Sequence, residues 1–216
     1  MLVLLSCMSS QAQGTNLYGM MSPKLKQFLA AHPGASCVLS NLLSEAFTNR
    51  TVTLYYFYTD DDSIPGGTQY YPGTPSVVIG IRENQRPTDE YICLVFEVIN
   101  SERETRFNEL TDEARAGKIS RSEYATEMLR HEFQTAKRIQ ELLPKLGLTE
   151  TEIAESGYYK QSIECPKTFE EFLKGAGAAR ALRTYGFEYD IVHDTQRQPN
   201  AALEPMATAP LVSTNK

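Results

Sequence analysis

The chain has 216 residues, 41% hydrophobic and 22% charged, a balance that builds a sizeable core without disulfide or metal staples. The length fits a single domain. The formal net charge of −6, with no basic run to offset it, argues against non-specific binding to nucleic acid or to an anionic membrane.

The chain opens with a short apolar run, Leu2 to Leu5, followed by Ser10-Gln11-Ala12. This pattern reads as the end of a secretory signal peptide cleaved after Ser10-x-Ala12. Leu4-Leu5-Ser6-Cys7 also reads as a lipobox, with Cys7 as a lipid-anchored residue. Both point to an exported protein: periplasmic, cell-envelope or secreted. No apolar run approaches the ~20 residues of a membrane-spanning helix, so the chain is not expected to cross a membrane. Residues 1–20 carry few structure signals and are expected to be flexible. A single α+β domain is expected over 21–192, and a disordered tail rich in Pro, Ala, Thr, Asn and Gln over 193–216.

Within the domain, Ser22-Pro23 reads as an N-cap followed by proline at the first helical position. That helix should stop at His32-Pro33-Gly34. Ser36 is read as the cap of a second helix, with Val38, Leu39, Leu42, Leu43, Ala46 and Phe47 at helical spacing. Thr51 to Thr59 is dense in β-branched and aromatic residues and reads as a strand. Asp60-Asp61-Asp62 lacks the alternating spacing of a calcium loop and reads as part of a hairpin connection. Asn49-Arg50-Thr51 is a formal glycosylation sequon at the start of a strand. Thr68 to Tyr71 and Ser76 to Arg82 are further strands.

The stretch Tyr91 to Asn100, YICLVFEVIN, holds one charge, Glu97. A helix apolar all round is buried, and a lone buried carboxylate must be paired, hydrogen-bonded or protonated. The helix should start near Pro87, with Asp89 and Glu90 in its first turn, and run out toward Ala114 before Gly117 breaks it. Ser120-Arg121-Ser122-Glu123 is a capping box, and Ile119 with Tyr124 fits the accompanying hydrophobic staple. The second long helix carries the stripe Ala125, Leu129, Glu132, Ala136, Ile139 and Leu143, and Pro144 and Gly147 should end it. A fold-back of these two helices follows from the short gap around Gly117. Short helices are expected over Thr149 to Glu155 and Thr168 to Leu173. Gly175-Ala176-Gly177-Ala178 reads as flexible, and Tyr185 to Val192 as a strand or extended arm. Cys37, Cys93 and Cys165 have no metal or redox spacing; one disulfide of unassigned pairing is allowed in an oxidising compartment.

For the individual residues, the plain structural assignments are these. Glu97 accepts a buried bond from an arginine, such as Arg130 or Arg138, or from one of the twelve tyrosines. Glu132 bends to water at a helix edge. Asn100 is a hydrogen-bonding residue at the rim of the core.

The element order, with a mid-helix glutamate on a buried helix and a second long helix after it, resembles the core of small zincin metallopeptidases. The resemblance spans Val38 to Leu143. The family's His-Glu-x-x-His falls on Phe96-Glu97-Val98-Ile99-Asn100, so the general base would be Glu97 and the two histidine ligands would be Phe96 and Asn100. Glu132 with Ala136 resembles the element that supplies the third ligand. Phe96 has no donor atom and an Asn amide is a poor zinc ligand, so three N, O or S donors are not assembled. His32, His131 and His193 do not replace them.

The resemblance therefore implies an α+β fold, with a small antiparallel or mixed sheet on the buried helix, that has lost zinc hydrolysis. The expected function is a non-catalytic, exported domain, without metal or cofactor, that binds a peptide or protein partner. In zincins the substrate lies along the edge strand beside the active helix. By resemblance, Ser76 to Arg82 would be that edge, with Val78, Gly80 and Asn100 as binding residues. The alternative is a hydrolase in which Glu97 and Glu132 face each other across a cleft, one with a raised pKa. An oxygen-only site of Glu97, Asn100 and Glu132 would suit calcium or manganese better than zinc. There is no nucleophile-elbow sequence and no phosphate-cradling loop.

Overall fold

The computed structural model describes residues 14–47, 50–59, 66–70, 76–155 and 164–194. The signal-like segment with Cys7, the aspartate run 60–62, the tyrosines 158 and 159, and the tail beyond 194 lie outside the described residues. The described elements, in order, are helices α1 (Gly14–Met20), α2 (Pro23–Ala31) and α3 (Pro33–Ala46), then strands β1 (Thr51–Phe57), β2 (Gly66–Tyr70) and β3 (Ser76–Arg82). Helices α4 (Pro87–Ser101), α5 (Glu104–Arg115), α6 (Arg121–Leu146), α7 (Glu150–Ala154), α8 (Phe169–Phe172) and α9 (Ala176–Asp194) follow. The fold class is α+β.

Local chemistry sets most of these boundaries. Ser22 caps α2 by accepting the Leu25 N–H, and Pro23 supplies the preset first φ. Pro33 does the same for α3, so that helix opens three residues before the expected Ser36 cap. The capping box at α6 is present in both directions, Ser120 with Glu123. Gly147, at φ +68°, closes α6 in the left-handed conformation. Pro144 does not end the helix; it sits within its last turn. The long helix expected from Pro87 toward Ala114 is two helices. The Ser101 hydroxyl bonds back to the Val98 carbonyl at 2.6 Å, and the chain turns at Glu102 and Arg103 before α5 begins.

The sheet is mixed, in the order β1-β3-β2. β1 runs parallel to β3, with Leu54 opposite Ile79, and β2 runs antiparallel to it, with Thr68 opposite Ile79 on the other side. Leu54, Val77, Ile79 and Ile81 are buried. α4 packs on β2 and β3, and α2, α3 and α6 pack on α4 in turn. Twelve of its fifteen residues are buried, which makes α4 the centre of the main core. No helix of the described residues is long and apolar enough to cross a membrane.

Both ends of the domain differ from expectation. Residues 14–20 are helical, not featureless, and Leu17 is buried in the main core. Tyr185 to Val192 is neither strand nor extended arm but the second half of α9, a helix that continues through His193 and Asp194. Its start, at Ala176 to Ala178, is the first turn of that helix rather than a flexible link. Tyr185, Tyr189 and Val192 face α5 and α6, and that helical spacing buries one stripe of α9. No disulfide joins Cys37, Cys93 and Cys165 to one another.

Gly34, in the first turn of α3, meets the end of α6 closely. A Cβ there would lie 2.3 Å from the Lys145 carbonyl oxygen. Backbone cannot retreat as a flexible side chain can, so Gly34→Ala should force the helices apart. The expected loss is about 1–3 kcal/mol, read as a lower urea midpoint with an unchanged m value. A loss below about 0.5 kcal/mol, within the usual range of neutral surface changes, would contradict this packing.

Candidate functional site

Glu97 sits on the α4 face that β2 covers. β2 lies so close there that a Cβ on Gly66 would be 2.5 Å from Cys93 Sγ and 3.8 Å from Glu97 Cγ. Only glycine permits that approach. Two residues further along β2, the Thr68 hydroxyl donates to Glu97 Oε2 at 2.6 Å. The donor expected from an arginine or tyrosine is thus a threonine. Arg130 instead pairs with Glu127 and Arg138 with Glu141.

Glu132 does not bend to water. Its carboxylate accepts a hydrogen bond from Tyr185 of α9, and the side chain is half-buried. Glu188, three residues on from Tyr185, stands on the same side of α9 and is also half-buried. The fold therefore gathers carboxylates from α4, α6 and α9. Burial raises Glu97 to about 7, against the pull of the Thr68 bond and with help from Glu132. Burial, then Glu132, raises Glu188 to about 7. Glu132 is raised by burial, with the Tyr185 bond acting in the opposite sense. Tyr185 is pushed well above its ordinary value by burial first, then by Glu132, Glu188 and Glu97.

Asn100 lies one turn beyond Glu97 and accepts the Thr135 hydroxyl of α6 at 2.6 Å. Its acceptor oxygen is therefore engaged within the chain, at the α4–α6 contact. Phe96 is half-buried against the main core. Among the described residues no three His, Cys, Asp or Glu side chains converge to hold a metal ion.

Val78 and Gly80 are not edge residues. β3 is the central strand; Val78 pairs with Thr53 and Gln69, and Gly80 with Tyr55 and Gly67. Its backbone groups are committed to two neighbours, so strand addition to β3 is ruled out. A Cβ on Gly80 would strike the ring of Tyr55, which covers it. The structure brings Glu97, Glu132 and Asn100 together along the α4–α6 contact, and Gly80 borders them through its backbone: its carbonyl oxygen lies 2.8 Å from the Gly66 Cβ position that is 3.8 Å from Glu97 Cγ.

Sequence reasoning missed that both acids of the first turn of α4, Asp89 and Glu90, are buried. Glu90 is 1% exposed and accepts hydrogen bonds from the Tyr56 hydroxyl at 2.6 Å and the Ser22 hydroxyl at 2.7 Å, with Lys24 at 3.7 Å. It lies two turns before Glu97, a spacing that places both on one side of α4. The signal was present, one residue outside the apolar window. Tyr185 and Glu188 were missed because a strand assignment sends them to opposite faces, whereas i and i+3 on a helix share one.

Comparison of the chain with protein-family models, curated proteins and solved structures gives no match. The site is therefore read from its own geometry.

A carboxyl raised in the fold binds its proton more tightly there than in the unfolded chain. The stability it lends is full below the ordinary value near 4.5 and is lost as pH climbs to about 7. For Glu97 the loss amounts to about 3 kcal/mol. Glu123 and Glu152 are lowered by bonds within their capping boxes and act in the opposite sense, but only in more acid solution. Glu97→Gln keeps an acceptor for Thr68 and removes the charge. It should raise stability at pH 8 by roughly 1–3 kcal/mol and flatten the pH dependence in urea unfolding. Equal destabilisation at pH 5 and pH 8 would show that the charge is not the cost.

Proposed function

We propose that this chain is an exported, non-catalytic domain that binds a peptide or protein partner by strand addition to the outer edge of β2. The observation that carries the proposal is the state of the two sheet edges. At β1 the Leu54 N–H donates to Met20 Sδ at 3.5 Å, and α1 packs along that strand. β2 pairs with β3 alone among the described residues. An unpaired strand edge is a template of backbone donors and acceptors for an extended peptide.

β2 is also the strand that lies beside Glu97. By the zincin-like resemblance, substrate lies along the edge strand next to the buried helix, and here that strand is β2 rather than β3. The absence of catalysis is supported by the motif positions of Phe96 and Asn100, neither a good zinc ligand. It is supported further by the internal donors that already occupy Glu97, Glu132 and Asn100. Export rests on the N-terminal signal-like pattern and on no structural feature.

A hydrolase using Glu97 and Glu132 is the second reading, favoured by one observation. Glu132 helps raise Glu97 to about 7, where a carboxylic acid can act near neutral pH.

Amide hydrogen exchange with and without a randomised library of extended hexapeptides separates the two. Binding should protect amides in 66–70 and leave β1 unchanged, and Glu97→Gln should alter affinity by less than about twofold. No protection at β2 would overturn the binding proposal. Peptide cleavage abolished by Glu97→Gln would place the hydrolase first.

A further inference from the structure

α9 turns one face to the domain and the other to water. Tyr185, Tyr189 and Val192 pack against α5 and α6, and Ala178 and Leu182 against α6 and α8. On the opposite side Arg180, Arg183, Thr184, Phe187, Ile191 and Asp194 are exposed. Their helical spacing stacks them in one stripe along α9. Among the described residues the exposed large hydrophobics are Tyr55 and Tyr58 at β1, and Phe187 and Ile191 here. A tyrosine in water keeps its hydroxyl solvated; Phe187 and Ile191 have no polar atom to offer. They are 63% and 50% exposed and one turn apart, so they form a continuous apolar patch.

The patch is firmly backed. α9 packs on α6 more extensively than any other helix pair among the described residues. The Tyr189 hydroxyl donates to the Ile119 carbonyl at 3.1 Å, and Arg121 Nε donates to the Asp190 carboxylate at 2.9 Å. Arg121 also lies over Gly186, where a Cβ would come within 2.5 Å of its guanidinium. A surface ordered in advance gives up little conformational freedom when it is covered.

Charge runs in order along the stripe. Arg180 and Arg183 stand at its N-terminal end, Phe187 and Ile191 in its middle, and Asp194 at its C-terminal end, 70% exposed. A basic, apolar, acidic order is its own complement when turned end for end. A parallel copy would set Arg183 on Arg183 and Asp194 on Asp194. An antiparallel copy, related by a twofold axis between Phe187 and Ile191, sets each of these against its counterpart. We propose that the outer face of α9 is a homodimer contact: two copies pair antiparallel, with Phe187 of each against Ile191 of the other and Arg183 of each beside Asp194 of the other. The twofold makes every favourable pair occur twice. The net charge of −6 repels a second copy in most orientations, and the two arginines put positive charge where this contact falls. Two helices meeting along this stripe bury less than about 1,200 Å², the size of weak complexes, so the dimer forms with rising concentration. The contact does not use β2 and is independent of peptide binding there.

Sedimentation equilibrium of the full chain between about 10 µM and about 1 mM tests this. The average mass should rise from 24.2 kDa toward twice that value. Phe187→Asp and Ile191→Asp should each keep the chain monomeric throughout, with an unchanged urea midpoint because both side chains are exposed. Arg183→Asp and Asp194→Arg should each weaken the dimer about tenfold, and the double variant should restore it. In the wild-type chain, concentration-dependent amide shifts should fall within 180–194. A monomer at every concentration would overturn the proposal, as would a dimer that survives Phe187→Asp. Failure of the double variant to restore association would overturn the antiparallel pairing. Shifts confined to 66–70 would show copies meeting through β2 and overturn it as well.

Discussion

The structure depends on how it manages carboxylates out of water. Glu90 and Glu97 are buried on one helix, and Glu132 and Glu188 half-buried on two others. Desolvation penalises the charged form of such groups, so each needs a donor, a cation or a proton. The fold uses different solutions at the two ends of α4. At Glu90 it supplies two hydroxyl donors and Lys24 nearby. At Glu97 it supplies one threonine and a neighbouring carboxylate, and the proton takes the place of a cation.

That difference organises what surrounds each end. Ser22 caps α2 and also donates to Glu90, and its N–H reaches the Tyr56 hydroxyl at 2.8 Å. One residue thus joins α2, β1 and α4, and the N-terminal half of the domain is pinned by charge-assisted bonds. The other end is held by weaker means. β2 is a five-residue strand pressed on α4 through Gly66, and α9 reaches the cluster through the Tyr185 bond to Glu132. The edge proposed to bind a partner lies at this less firmly held end.

Much of this architecture was legible in the sequence because it follows from local chemistry. The proline starts, the capping box at Ser120 and the β-branched strand Ser76–Arg82 appear where the residues place them. The buried α4 was legible because an apolar decapeptide has no other home. Sheet order was not legible. Nothing in SVVIGIR tells whether one or two neighbours flank it, and β3 became central only through a parallel pairing with β1 that skips β2. α9 was misread because aromatic and β-branched residues favour strands locally, and packing on α6 overrode that preference. At the site, Glu97, Glu132 and Asn100 were found by type and spacing. Thr68, Tyr185 and Glu188 were not, because their partners are 29, 53 and 56 residues away in sequence and only the fold brings them near.

The central claim is that burial holds the protons of Glu97 and Glu188 up to about pH 7, where an ordinary carboxyl has long lost its own. The most direct measurement is a carboxyl carbon NMR titration of the protein labelled at glutamate Cδ, with Glu→Gln variants to assign the signals. Midpoints for Glu97 and Glu188 near 7, well above those of the exposed glutamates, are the expected result. Ordinary carboxylate midpoints near 4.5 for both would contradict it, because buried ionised carboxylates would then require a cation that the cluster does not contain among its described residues.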